Sequence, residues 1–202
     1  MSLRKEYTMT LSNKPFHKTR QLLIDVMSDL LRVASIEDIT IKVLVQQAGI
    51  TRSTFYTYYQ DKYALFEDLI DQCTRQIYYA LRYVPARVTP SQVRKSVYDN
   101  IWQVLSTLYS NKHIFTQIGP DIRTRMLEKE IHAFKPVLLQ QLNHLDIDPK
   151  MNKDIFVAFY LSGIISAYQH WITTDYAMPI EELCEQLTNL SMTFYTEYLT
   201  KE

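Results

Sequence analysis

Residues 39–65 read ITIKVLVQQAGITRSTFYTYYQDKYAL, and the fold of the whole chain is decided by how this stretch is read. Thr40 stands where a hydroxyl can cap a helix whose apolar positions are Ile41, Leu44, Val45 and Ala48. Gly49 stops that helix, because the residue just past a helix end often turns left-handed and glycine does so without a Cβ penalty. Thr51 can cap a very short helix from Arg52 to about Tyr58, and Asp61 can cap the next one. Two helices joined by a one-glycine turn, the second short and rich in hydroxyls, make a helix-turn-helix. Its second helix can enter a DNA major groove. The polar positions there are Thr51, Arg52, Ser53, Thr54 and Thr57, interleaved with Tyr56 and Tyr58, while Phe55 is expected to point inward. No carboxylate occurs from Gly49 to Gln60, which suits a polyanion. Lys62 sits in the first turn of its helix, where the macrodipole disfavours a cation. Asp61 offsets this in part, and a DNA phosphate met by the ammonium and the free N–H groups together would offset it better. A solvated lysine beside its cap is the alternative.

Composition agrees with a helical chain. There are only three glycines in 202 residues (Gly49, Gly119 and Gly163), too few for the hairpins, dinucleotide turns and phosphate loops that consume glycine. Net charge is zero, but residues 1–62 hold nine Lys/Arg against six acids, a balance of +3 that the remaining residues offset with −3. A basic first third on a neutral chain fits a local anionic partner. Cys73 and Cys184, each inside an apolar pattern, are expected to be buried thiols in a reducing compartment, and the start of the chain carries no secretory signal pattern. The five histidines are scattered without metal-ligand spacing, so neither a metal nor another cofactor is expected.

Outward from residues 39–65, residues 1–16 lack periodicity and read as an arm. An amphipathic helix is predicted over Lys18–Arg32, with Leu22, Leu23, Val26, Met27, Leu30 and Leu31 on one face. The helix entered at Asp61 runs to about Val84, with Pro85 and Pro90 marking a break. Further helices are predicted over Val93–Tyr109, around His113–Ile118, over Ile122–Leu145 with Pro136 as a kink or interruption, and over Asp154–Thr174 and Ile180–Leu199. The expectation is an all-α chain of about nine helices. A homeodomain-like three-helix domain (17–62) follows the arm and precedes an antiparallel helical bundle (63–202). Ile155–Ile172 carries no formal charge and approaches bilayer-spanning length, but its Tyr, Ser, Gln and His residues point to a helix buried on most sides rather than a membrane span.

The pattern Thr40-Ile41-x-x-Leu44-x-x-x-Ala48-Gly49-Ile50-Thr51-x-Ser53-Thr54-Phe55-Tyr56-x-Tyr58-Tyr59-x-x-Lys62-x-x-Leu65 resembles the signature of the TetR family of transcriptional regulators. Val45, Ser53 and Tyr59 depart from it, standing where a small residue, a glycine and a phenylalanine are usual. The resemblance implies that Thr40, Thr51, Tyr56, Tyr58 and Lys62 anchor phosphates and that Arg52, Ser53 and Thr57 face bases. It also implies a homodimer on a palindromic operator in double-stranded DNA. In the family's usual scheme such a protein is a cytoplasmic repressor relieved by a small-molecule inducer. Residues 159–183 more weakly resemble a branch that includes regulators of dihydroxyacetone kinase operons, through Gly163, Trp171-Ile172, Pro179 and Glu182-Leu183. Some members of that branch activate transcription with a protein partner.

Phe159, Gly163 and Ala167 form one stripe, and Leu183, Leu187, Leu190 and Phe194 form a packing seam on the last helix. By spacing alone these could be an intramolecular core or a dimer interface; the resemblance implies the dimer. It also implies an effector pocket among the central helices, where Tyr78, Trp102, Tyr109, Phe115 and Tyr168 are the candidate lining. No catalytic motif is legible, so the chain is not expected to be an enzyme. A helical interaction protein that does not bind DNA is the reading of a different class.

Overall fold

The computed structural model describes residues 14–80, 90–143 and 152–198. Among the described residues there are nine α-helices and no strand: α1 (Lys14–Leu30), α2 (Ile41–Ala48), α3 (Arg52–Tyr58), α4 (Lys62–Ala80), α5 (Pro90–Ser110), α6 (Lys112–Phe115), α7 (Pro120–Leu142), α8 (Lys153–Thr173) and α9 (Ile180–Tyr198). The chain divides into two compact units, residues 1–69 and 70–202, and the division falls within α4.

In the first unit α1 buries Leu23, Ile24, Met27 and Leu31, which join Ile36, Ile39, Leu44, Phe55, Leu65 and Phe66 in one core. Leu22 differs from expectation and is 41% exposed. At 100° per residue it stands about 150° from the centre of the buried stripe, so adjacency to Leu23 in sequence does not put it on the same face. Residues 31–38 form the turn after α1, where the Ser35 hydroxyl donates to Asp38 and accepts from its backbone N–H.

In the second unit α5 packs on α9 and α7 on α8. Pro90 opens α5, where its missing N–H costs nothing, instead of marking only a break. α7 passes unbroken through Pro136, which is exposed, so the carbonyl left without its helical donor can turn to water. Both cysteines are buried free thiols, as expected. Burial pushes the Cys73 thiol up to about 11, which makes it a poor nucleophile at neutral pH.

α8 is long and apolar enough, by length and composition alone, to cross a membrane, yet only a third of its most apolar window is buried within the chain. Its inner face (Phe156, Val157, Leu161, Ile165, Tyr168, Trp171) is covered, while Ile155 and Phe159 are exposed. The expectation of burial on most sides therefore fails for the chain by itself. The seam on α9 is also corrected. The buried stripe is Leu183, Cys184, Leu187, Thr188 and Ser191, and Leu190 is 59% exposed. Small residues set this stripe, because Thr188 and Ser191 donate to the carbonyls of Cys184 and Leu187 and so enter the core with their hydroxyls satisfied.

The α8–α9 turn is built on an aromatic cluster. Trp171 stacks on Tyr109 and meets Tyr176 edge-on, while its indole N–H donates to the Met178 carbonyl at 2.7 Å. Asp175 and Tyr176 are both left-handed, at φ 53° and 57°, a conformation that costs a non-glycine residue about 1 kcal/mol or more and is held here by those contacts.

Candidate nucleic-acid interface

The helix-turn-helix is fixed by its caps. Thr40 Oγ1 accepts from the Val43 N–H at 3.3 Å and Thr51 Oγ1 from the Thr54 N–H at 3.1 Å. Each bond satisfies one of the orphan donors at a helix start. Gly49 adopts φ 63°, ψ 32°, and the Ile50 N–H closes onto the Val45 carbonyl at 3.0 Å. A residue with a Cβ would be strained there, so this glycine sets the angle at which α3 leaves α2.

Phe55 is fully buried and anchors α3, leaving Thr51, Arg52, Ser53, Tyr56 and Thr57 exposed on its outer side. Tyr56 is 56% exposed and packs edge-on against Phe55. Arg52 has no intramolecular partner among the described residues, so all five guanidinium donors are free for a ligand. Thr57 donates its hydroxyl proton to the Ser53 carbonyl at 3.1 Å, which leaves that oxygen as an acceptor. Tyr58 is half-buried, its ring stacked on Phe16 of α1 at 4.5 Å between centroids. Most of the positions singled out for DNA thus share one accessible side of α3, free of carboxylates from residue 49 to residue 60.

Lys62 does something else. Its ammonium donates to the carbonyls of Ile36 (2.8 Å), Glu37 (2.8 Å) and Ile39 (2.9 Å). An ammonium has three N–H donors and all three are used, so neither a phosphate-facing nor a freely solvated lysine describes it. The cation at the helix start is offset by three carbonyl oxygens of the preceding turn. Asp61 caps the same helix, accepting from the Ala64 N–H at 2.8 Å, and Tyr63 donates to Glu37 at 2.7 Å. The start of α4 is therefore braced to the residues between α1 and α2.

A second brace belongs to no motif. Asp68 of α4 pairs with Arg20 of α1 through one carboxylate oxygen, and the other accepts from the Tyr59 hydroxyl at 2.7 Å. Burial, then the Asp68 carboxylate, holds the Tyr59 phenol well above its usual range, so it stays a donor. Tyr59, a departure from the usual phenylalanine, thus has a partner that explains its hydroxyl. The signal in sequence is that departure together with Asp68 nine residues on.

In the second unit a cavity of about 110 Å³ opens among α5, α7, α8 and α9. Of the five aromatics named from sequence, Tyr168 lines it. Phe115 is fully buried and borders a smaller neighbouring cavity that also touches Tyr168. Trp102 stacks on Tyr98, and Tyr109 of α5 packs against Trp171 and Tyr176 at the α8–α9 turn, so neither lines the cavity. The side chain of Tyr78 lies outside the described residues, as does that of Phe194. The aromatic walls are instead Phe134, Tyr160 and Tyr168. Tyr168 donates to Glu130, a carboxylic acid only 2% exposed, whose carboxyl is pushed up to about 7 by burial against the opposing pull of that hydrogen bond. Glu130 is part of no motif, though its place in the i, i+4 row Met126–Glu130–Phe134–Leu138 is a legible sign of an acid on an inward stripe.

Of the dimer candidates, Phe159, Gly163 and Leu190 are exposed and Ala167 is half-buried, while Leu183 and Leu187 belong to the chain's own core.

Residues 95–193 match a family profile described as a transcriptional regulator C-terminal region. The chain is 22% identical over 161 residues to the uncharacterized HTH-type transcriptional regulator YxbF of Bacillus subtilis (strain 168); the match spans 80% of this chain and 41% of that relative. Among solved structures it resembles the dihydroxyacetone kinase operon activator DhaS, with a TM-score of 0.67 and 17% identity over 90% of this chain and 98% of the other. It also resembles the TetR-family repressor AlkX from Dietzia sp. strain DQ12-45-1b, with a TM-score of 0.64 and 15% identity over 90% and 97%. A third likeness is to a TetR-family regulator from Streptomyces coelicolor, with a TM-score of 0.63 and 20% identity over 85% and 78%. At these identities the structural likenesses establish the fold.

Proposed function

We propose that the chain is a transcriptional regulator of the TetR/AcrR family and, more closely, a cytoplasmic homodimeric repressor of a palindromic operator, released by a small-molecule effector. The observation that carries the DNA half of this reading is the accessible, acid-free side of α3. Arg52, Ser53 and Thr57 face the bases, and Thr40, Thr51, Tyr56 and Tyr58 meet phosphates through hydroxyls. Lys62 orients α4 and is left out of the phosphate set. The dimer forms through Ile155, Phe159 and Gly163 of α8 with Leu190 of α9, since four apolar or small residues exposed on two helices are explained by a second copy. The effector enters the cavity in the second unit, and α4, whose residues belong to both units, transmits its presence.

Selection from a random DNA pool tests the reading. Enrichment of a palindrome is expected, with a log K against log salt slope of about −5 if the dimer makes about six phosphate contacts. A slope near zero, or no enriched sequence with and without small molecules, would leave a helical interaction protein instead. The likeness to DhaS, whose name makes it an activator, favours activation as the second reading. A reporter driven by the selected operator distinguishes the two by the sign of its response.

A further inference from the structure

The cavity has a chemical preference. Its lining comes from α5 (Val97, Ile101, Leu105 among others), α7, α8 and Leu187 of α9, and among the described residues includes no Lys, Arg, His, Asp or Glu. Its polar groups are few. The Tyr160 hydroxyl is engaged with Ser191 at 3.0 Å and the Tyr168 hydroxyl with Glu130, which leaves the Asn100 amide. What the cavity offers a ligand is hydrocarbon and three aromatic rings, Phe134, Tyr160 and Tyr168.

Behind this wall stands Glu130. It lies one helical turn before Phe134, and its hydroxyl partner Tyr168 is itself part of the wall. No basic side chain is paired with it among the described residues. A buried carboxyl without a counter-charge is costly to ionise and is normally either replaced by an apolar residue or answered by a cation. An anionic ligand would find no donor of positive charge here and would meet the acid. A neutral ligand would fill the cavity but leave the acid without a role. A cation is attracted both by the negative faces of the rings and by the carboxylate behind Tyr168.

We propose that the cavity among α5, α7, α8 and α9 binds a lipophilic cation, an ammonium group carried on an apolar body, with Phe134, Tyr160 and Tyr168 around the charge and Glu130 as its counter-ion. This rests on the reading of the cavity as the effector site. Binding by an ammonium holds Glu130 ionised, so the carboxylate becomes a stronger acceptor for the Tyr168 hydroxyl, and the α7–α8 contact tightens when the ligand is present.

Calorimetry on the full-length protein with hexyltrimethylammonium, hexanol and hexanoate tests the assignment. The cation is expected to bind at least tenfold more tightly than either analogue. E130Q, which keeps an acceptor for Tyr168, should weaken the cation at least tenfold and hexanol less than twofold. Y160L removes a ring while leaving Glu130 in place, and should again weaken the cation more than the alcohol; it keeps the test decisive if E130Q does not fold. Equal or tighter binding of hexanol or hexanoate overturns the proposal, as does cation affinity that neither variant alters. Binding of none of the three at millimolar concentration overturns it too. Cation binding that depends on Glu130 but leaves operator affinity unchanged would keep the site and refute its role as the effector site.

Discussion

Replacing Lys62 by methionine separates two roles that one residue could have in DNA binding. Methionine keeps the length of the side chain and removes the charge and all three donors. In the structure those donors hold the carbonyls of Ile36, Glu37 and Ile39 at 2.8–2.9 Å, and Ile36 and Ile39 are buried. A hydrogen bond to a charged group contributes about 1.5–3 kcal/mol net when buried. The Glu37 carbonyl can turn to water, so the two part-buried bonds dominate and K62M should cost about 3 kcal/mol. For a chain of this size that lowers the melting temperature by roughly 6–12 °C. Lys62→Arg should recover only part of this, because a planar guanidinium cannot direct three N–H groups at three carbonyls converging on one point. A phosphate-binding lysine predicts a different signature: melting unchanged, and a salt slope shallower by about 0.9 for each phosphate that each protomer no longer neutralises. Thermal melts, and fluorescence anisotropy on a selected operator between 50 and 200 mM salt well below the melting point, measure both quantities. A brace gives a lower melting temperature and an unaltered slope; a K62M protein that melts like wild type and has a shallower slope would refute the reasoning.

Stability should depend on pH through Glu130. Its carboxyl titrates near 7 in the folded chain against 4.5 when unfolded, so the two states match below pH 4.5, stability falls as pH rises from there to 7, and the loss levels off at about 3 kcal/mol above it. Urea melts of E130Q at pH 5 and pH 8 should show a smaller difference than wild type, and equal differences would contradict the burial argument. Y59F deletes the donor to Asp68 and should lower stability by about 1–2 kcal/mol while sparing the fold, since Arg20 still pairs with that carboxylate; a neutral outcome in denaturant melts would show that the hydroxyl contributes nothing. F159E puts like charges across the proposed dimer face from a position 63% exposed in the single chain, so sedimentation should show monomer at concentrations where wild type dimerises. A dimer that survives this change moves the interface elsewhere.

Much of the candidate site is legible in the sequence because its logic is local. Thr40, Gly49 and Thr51 act on N–H and carbonyl groups within a few residues of themselves, so their roles can be read from spacing. The role of Lys62 is not legible, because its partners lie 23–26 residues away and only folding brings three carbonyls to one ammonium. The lining of the cavity is hidden for a related reason. Trp102 and Tyr109 are aromatic and lie on the right helix, but the side of α5 that lines the cavity is occupied by Val97, Ile101 and Leu105.

What the residues alone determined is the helical class and the helix-turn-helix with its caps and its acid-free tip. These depend on 3.6-residue periodicity and on hydrogen bonds that reach no more than one turn. The tertiary structure decided which apolar residues on α8 and α9 are left uncovered, which three rings line the cavity and that a buried carboxyl with no basic partner among the described residues stands behind them. Those outcomes depend on the rotation of one helix against another, and a rotation of about a sixth of a turn, as between the leucine seam and the buried stripe of α9, moves Leu190 from core to surface without altering any local pattern.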